Sequence, residues 1–158
     1  MAEQQSIITD EMRNQIGKEG PPSTLEVDKT AIRMFARAVG HTDPIFYDED
    51  EAKRRGYRSL LAPPGYLGTR VFNPKGGEAE GPGGFTRGPY KRILNGGTEI
   101  EYLGDVCAGD VLTSRSKIAS LDERQGNIGP MLITVSETGY TNQDGKLVAI
   151  SRGTIISY

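Results

Sequence analysis

The stretch GHTDPIFYDED, residues 40–50, holds a glycine, an acid–proline step, two large apolar residues and an acidic run. The chain's single histidine, His41, lies inside it. Its surroundings define local structure. Upstream, Asp28 is suited to cap a helix through KTAIRMFARAVG, in which Ala31, Phe35, Ala38 and Val39 fall on one face. Gly40 then supplies the stop that a left-handed residue gives a helix C-terminus. Downstream, DEDEAKRRG reads as a short helix, its acids first and its bases last, as the helix dipole prefers. The segment PPGYLGTRVF can start another helix at Pro64, where a missing N–H costs nothing. Asn73-Pro74 ends that helix near Phe72, because the residue before proline is pushed out of helical space.

Outside this region the chain divides into a helical front and a strand-rich back. SIITDEMRNQIG reads as a short helix stopped by Gly17, and GPPSTLEV as a turn and a short strand. The back half contains GTEIEYLGD, DVLTSRSKIASLDE, PMLITVSETGYTN and KLVAISRGTIISY, all rich in β-branched residues. Asn142-Gln143-Asp144-Gly145 forms a hairpin turn, and ERQGNIG a looser one. Long antiparallel strands packed on segregated helices predict an α+β domain.

Composition narrows the function classes. At 158 residues the chain is read as one domain, 1–158, long enough to bury about two thirds of its unfolded surface. Its 19 basic and 21 acidic residues are balanced, which argues against a nucleic-acid backbone as partner. No apolar run approaches a membrane span, and the N-terminus lacks the basic start and apolar centre of a secretion signal, so a soluble cytoplasmic protein is expected. One cysteine and one histidine supply neither a disulfide nor an ordinary zinc site, and no metal is expected. The excess of glycine, 21 residues, concentrates in NPKGGEAEGPGGFTRGPY (73–90), which reads as a long mobile loop.

The order of these elements resembles the hot-dog fold, an antiparallel sheet wrapped around a central helix that would here be short. More specifically it resembles the MaoC-like dehydratase and hydratase family, over nearly the whole chain from about Gly17 to Tyr158. The family signature A-x-x-x-G-D-x-N-P-[LI]-H-x-D aligns with Ala36, Gly40, His41, Asp43, Pro44, Ile45, Phe46 and Asp48. In that family an Asp and a His activate a water that adds across an enoyl thioester. Here those positions hold His41 and Phe46, so the usual acid–base pair cannot operate from this chain. The pattern is similar to the non-catalytic N-terminal domain of fungal fatty-acid-synthase-type dehydratases and to substrate-binding subunits of heteromeric dehydratases.

The resemblance implies a role for Gly65 within Ala62-Pro63-Pro64-Gly65-Tyr66: its backbone N–H would meet the thioester carbonyl, with Tyr66 beside it in the substrate site. The family's histidine in that segment is Pro64 here. The basic clusters KRRGYR (53–58) and RGPYKR (87–92) suggest Arg58 and Arg92 as ligands for the phosphates of a coenzyme A or acyl-carrier arm, against the plainer reading of solvated charge. Should the chain be catalytic, His41 with Asp43 is the fallback pair; the plainer readings are a helix-terminal histidine, a turn aspartate and, for Asp48, a helix cap. Cys107 reads as inert packing.

The leading expectation is an acyl-thioester-binding subunit of a (3R)-hydroxyacyl-CoA dehydratase or enoyl-CoA hydratase, needing no separate cofactor. A second hot-dog chain would supply the Asp/His pair in a heterodimer or heterotetramer; failing that, a homodimer is expected. The alternatives are a homodimeric acyl-CoA thioesterase, with Asp43 or Asp48 as its carboxylate, and a non-catalytic acyl-CoA-binding module. A short central helix beside a glycine-rich stretch also suggests a pocket open to bulky acyl groups.

Overall fold

The computed structural model describes residues 6–68 and 88–158. The end of the expected helix, 69–72, and most of the expected loop, 73–87, lie outside the described residues.

Local signals decide the first half. Thr9 caps α1 (Asp10–Gln15) by accepting from the Met12 N–H. A short strand, β1 (Ser23–Glu26), leads to Asp28, whose carboxylate accepts from the Thr30 and Ala31 N–H groups at 2.7 and 3.1 Å and opens α2 (Lys29–Ala38). Gly40 closes α2 with φ +77°. The N–H groups of Gly40 and His41 return to the carbonyls of Arg37 and Ala36, a Schellman closure. The buried stripe of α2 is Ile32 and Ala36, flanked by the partly buried Ala31 and Phe35. The expected face therefore needs correcting: Ala38 and Val39 are exposed, because the helix ends as they leave the core side. A 3₁₀ turn (Pro44–Phe46), α3 (Glu49–Arg54) and a second 3₁₀ turn (Tyr66–Gly68) complete the described helical part.

The second half is a meander of β3 (Val111–Gly126), β4 (Gly129–Thr141) and β5 (Leu147–Ser157). An edge strand, β2 (Ile93–Tyr102), pairs with β5, and β1 pairs with β3, so the antiparallel sheet runs β1-β3-β4-β5-β2. The β4–β5 turn falls at Asn142–Gly145, as expected. The other hairpin is tighter than expected: Gly126 pairs with Gly129, leaving only Asn127 and Ile128 in the turn. Gly129, at φ +116°, makes that reversal possible. One face of the sheet carries a row of alternating charge, in which Lys117 meets Glu137 at 3.1 Å and Arg152 meets Glu137 and Glu101 at 3.0 and 3.4 Å.

The main core joins Ile32 and Ala36 of α2 to Phe46, Ala52, Leu60, Val106, Leu112 and Val148. A smaller cluster of Ile8, Met12 and Leu132 seats α1 on the sheet. Among the described residues no helix is long and apolar enough to cross a membrane.

Candidate functional site

The loop after α2 is built around its own backbone. The N–H of His41 is taken by Ala36, and its carbonyl accepts from the Tyr47 hydroxyl. Asp43 caps the first 3₁₀ turn through the Ile45 N–H at 3.1 Å and also pairs with Arg55 at 3.1 Å. Asp48 caps α3 through the Asp50 and Glu51 N–H groups at 2.9 and 3.2 Å. Phe46 is buried in the core, and its ring lies 5.4 Å from the His41 ring at a tilt of 51°. The two positions aligned with the signature's Asp and His thus face one another as an imidazole and a benzene ring, and the benzene ring can neither give nor take a proton. Asp43 and Asp48, the carboxylates a thioesterase would draw on, are engaged in capping.

Beside this loop lies a cleft. Leu61 bridges to Cys107, the Ala62 N–H donates to Val106, and the Ala108 N–H donates to Leu60, so residues 60–62 are tied to the approach to β3. That tie projects the Pro63–Gly68 turn over the sheet, closed by Tyr66 N–H to Pro63 and Gly68 N–H to Gly65. Gly65 has φ +88°, and an added Cβ would already be 3.4 Å from the Phe35 ring. Phe35, Pro64, Gly65 and Gly68 form one wall of an open cleft of about 480 Å³; Thr98, Ile100 and Tyr102 of β2 form the other. A volume of that order lies within the range of small-molecule pockets.

Two tyrosines brace the turn from below. Tyr102 and Tyr140 flank Ala149 in register across β2, β5 and β4. The Tyr140 hydroxyl donates to the Leu67 carbonyl at 2.9 Å. Burial pushes the Tyr102 phenol up, and a hydrogen-bonding interaction with the Gly65 backbone opposes that rise. Only a donor that stabilises the phenolate lowers a phenol's pKa, so the backbone group concerned is the Gly65 N–H.

The expected site residues scatter. Gly65 lines the cleft. Tyr66 is buried instead, edge-on to Phe35 with ring centroids 5.9 Å apart, its phenol pushed up by burial and opposed by a hydrogen bond with the Asp28 backbone. Arg58 is engaged within the chain: its guanidinium fork embraces Asp110, at 2.7 and 2.9 Å. The other bases of the first cluster are also matched, Lys53 with Glu49 at 3.0 Å and Arg55 with Glu51 at 2.7 Å. Arg92 sits exposed where β2 begins, its backbone paired with Tyr158. Burial raises the pKa of the Cys107 thiol. Among the described residues no three His, Cys, Asp or Glu side chains are grouped to hold a metal ion.

Residues 14–151 match the model of the FAS1-like dehydratase domain region, and the chain belongs to that family. A UPF0336 protein of Streptomyces avermitilis is 35% identical over 114 residues, 71% of this chain and 74% of that protein. The crystal structure of the C-terminally truncated HadBC (3R-hydroxyacyl-ACP dehydratase) complex from Mycobacterium tuberculosis superposes with a TM-score of 0.69 at 27% identity, covering 90% of this chain and 96% of that one. A MaoC-like dehydratase from Rhodospirillum rubrum gives a TM-score of 0.65 at 19% identity, covering 90% and 92%, and speaks to the fold alone. The architecture is the α+β hot-dog fold, and the class is that of hydratases and dehydratases built on it.

Proposed function

We propose that the chain is the acyl-thioester-binding subunit of a (3R)-hydroxyacyl-thioester dehydratase or enoyl-CoA hydratase, and that a second hot-dog chain supplies the catalytic Asp and His. The observation that carries this reading is the pairing of a disarmed loop with an intact cleft. His41 and Phe46 lie ring beside ring, tilted, at the positions of the family's acid–base pair, while Phe35, Gly65 and Ile100 still line an accessible apolar space. Binding without proton transfer is what such a chain offers, and the chemistry has to come from elsewhere. A solved relative at 27% identity is itself a two-subunit dehydratase complex, which supports a hot-dog partner. The outer edge of β2, unpaired among the described residues and with Ile93 and Leu94 exposed, is a strand edge that pairing with such a partner would cover.

Co-expression tests the proposal. The chain is produced with a hot-dog chain carrying an intact G-D-x-N-P-[LI]-H motif, and hydration of crotonyl-CoA is followed. Stable co-purification, with faster turnover of long or bulky enoyl thioesters than by the partner alone, is expected. Failure of every such partner to associate, together with no binding of acyl-CoA by this chain, overturns it.

A further inference from the structure

We propose that the Tyr102 hydroxyl is the second hydrogen-bonding group of the thioester seat, acting with the Gly65 N–H to hold the substrate's carbonyl oxygen. The inference rests on the acyl-thioester reading above and assigns one of its binding residues.

Geometry puts the two groups together. Gly65 and Tyr102 line opposite walls of the same cleft, one on the Pro63–Gly68 turn and the other at the end of β2. Among the described residues Tyr102 is the one cleft-lining residue with an ionisable side chain, set among Phe35, Pro64, Thr98, Ile100 and glycine backbone. Its sister across Ala149, Tyr140, already spends its hydroxyl hydrogen on Leu67 and serves as a prop. Tyr102 is different: its hydroxyl faces the Gly65 backbone within the cleft, and its hydrogen has no acceptor among the described residues. A phenol has one hydrogen to give and two lone pairs to offer, so its oxygen can mark the place of a carbonyl oxygen and its hydrogen can be given to one.

Exchange is then balanced. When a thioester carbonyl takes the Gly65 N–H, the displaced phenol loses a donor but keeps a hydrogen, and the newly arrived carbonyl oxygen has a second lone pair for it. No polar atom is left unmatched in a largely apolar cleft, which is the condition for binding a polar group there without a net penalty. Two donors on one oxygen also polarise the carbonyl more than one does. A Phe at this position would keep the walls and lose the second donor.

The test uses butyryl-CoA with ¹³C at the thioester carbonyl, a ligand with no double bond to hydrate, and the chain as purified with any partner it retains. Infrared difference spectroscopy reads the carbonyl stretch, and calorimetry reads Kd. In the wild-type protein the bound band lies below that of the free ligand. Tyr102→Phe recovers part of that shift and weakens binding by roughly three- to tenfold, the worth of one hydrogen bond. Tyr102→3-fluorotyrosine, with a more acidic hydroxyl in the same volume, moves the band lower still. Tyr140→Phe leaves the band where it is, separating a contact to the ligand from a brace under the turn. If wild type binds butyryl-CoA but Tyr102→Phe matches it in both band position and Kd, Tyr102 is no part of the seat while the subunit reading stands. If wild type does not bind at all, both fail together.

Discussion

Replacing Asp110 by Asn should destabilise this protein far more than a surface charge change. Asp110 is 1% exposed, and its two carboxylate oxygens accept four hydrogen bonds from three other segments of the chain. Oδ1 accepts from Arg58 at 2.7 Å and Gln143 at 3.1 Å; Oδ2 accepts from Arg58 and from the Cys107 N–H, both at 2.9 Å. An Asn side chain has one oxygen and one NH₂, so whichever way it is turned a donor faces two donors. Hydrogen bonds to a charged group are worth about 1.5–3 kcal/mol each. Arg58 is 57% exposed and recovers hydration when released, so the full sum is not expected. The loss should be about 3 kcal/mol, the lower end for a broken buried pair. Arg58→Met leaves the carboxylate two of its partners and should cost about half as much. Urea unfolding at neutral pH measures both, and with a slope of roughly 1–3 kcal/mol/M the Asn variant's midpoint falls by at least about 1 M. Burial pushes the Asp110 carboxyl up, but Arg58, the Cys107 N–H and Gln143 outweigh it and hold the pKa below its ordinary 3.8. A carboxyl lowered on folding stabilises fully above that ordinary value and loses its contribution as pH falls through the folded one. The gap between wild type and Asp110→Asn should therefore narrow in that acid range. A variant within about 0.5 kcal/mol of wild type, the range of ordinary surface substitutions, would refute this account of the latch.

Other expectations are as direct. Gly96→Ala places a Cβ 2.8 Å from the Thr154 methyl beside the β2 bulge, and should lower stability by about 1–3 kcal/mol, read as a drop in urea midpoint. Glu49 is held down at about 2 by Lys29 first and Lys53 second, so its stabilisation is present above its ordinary 4.5 and fades toward pH 2; Glu49→Gln should flatten that part of a stability–pH curve. Sedimentation at micromolar concentration should show a dimer or larger assembly, with or without a different partner chain, because the exposed Ile93 and Leu94 border a strand edge unpaired among the described residues; a lasting monomer speaks against it.

What the sequence revealed was mostly what neighbouring residues decide among themselves. Asp28 and Asp48 bond to amides two and three positions ahead, and Gly40 adopts the conformation that ends α2, so caps and stop were readable without a fold. The strands of the meander are rich enough in β-branched residues to be found to within a few residues. The start of β2 was hidden because Asn95-Gly96-Gly97 looks like a turn, yet it is a bulge inside a strand, with Gly97 at φ +137°. Asp110 reads as the last residue of an Ala-Gly-Asp turn, and only the fold brings Arg58 and Gln143 onto it. The pairing of Arg58 was hidden for the same reason: its partner is 52 residues away. Tyr102 could have been noticed as an aromatic ending a strand, but its approach to Gly65 depends on how the 63–68 turn is folded over the sheet.

On the proposed function this chain binds acyl thioesters but cannot hydrate them, because His41 and Phe46 stand at the positions of the family's acid–base pair. The most direct test is hydration of crotonyl-CoA by rigorously purified chain, wild type and His41→Ala side by side. General acid and base groups typically contribute about a hundred- to ten-thousand-fold each, so wild type should show no turnover above background and the two proteins should be indistinguishable. Robust turnover by the wild-type chain that His41→Ala abolishes would make His41 the catalytic base and contradict the account.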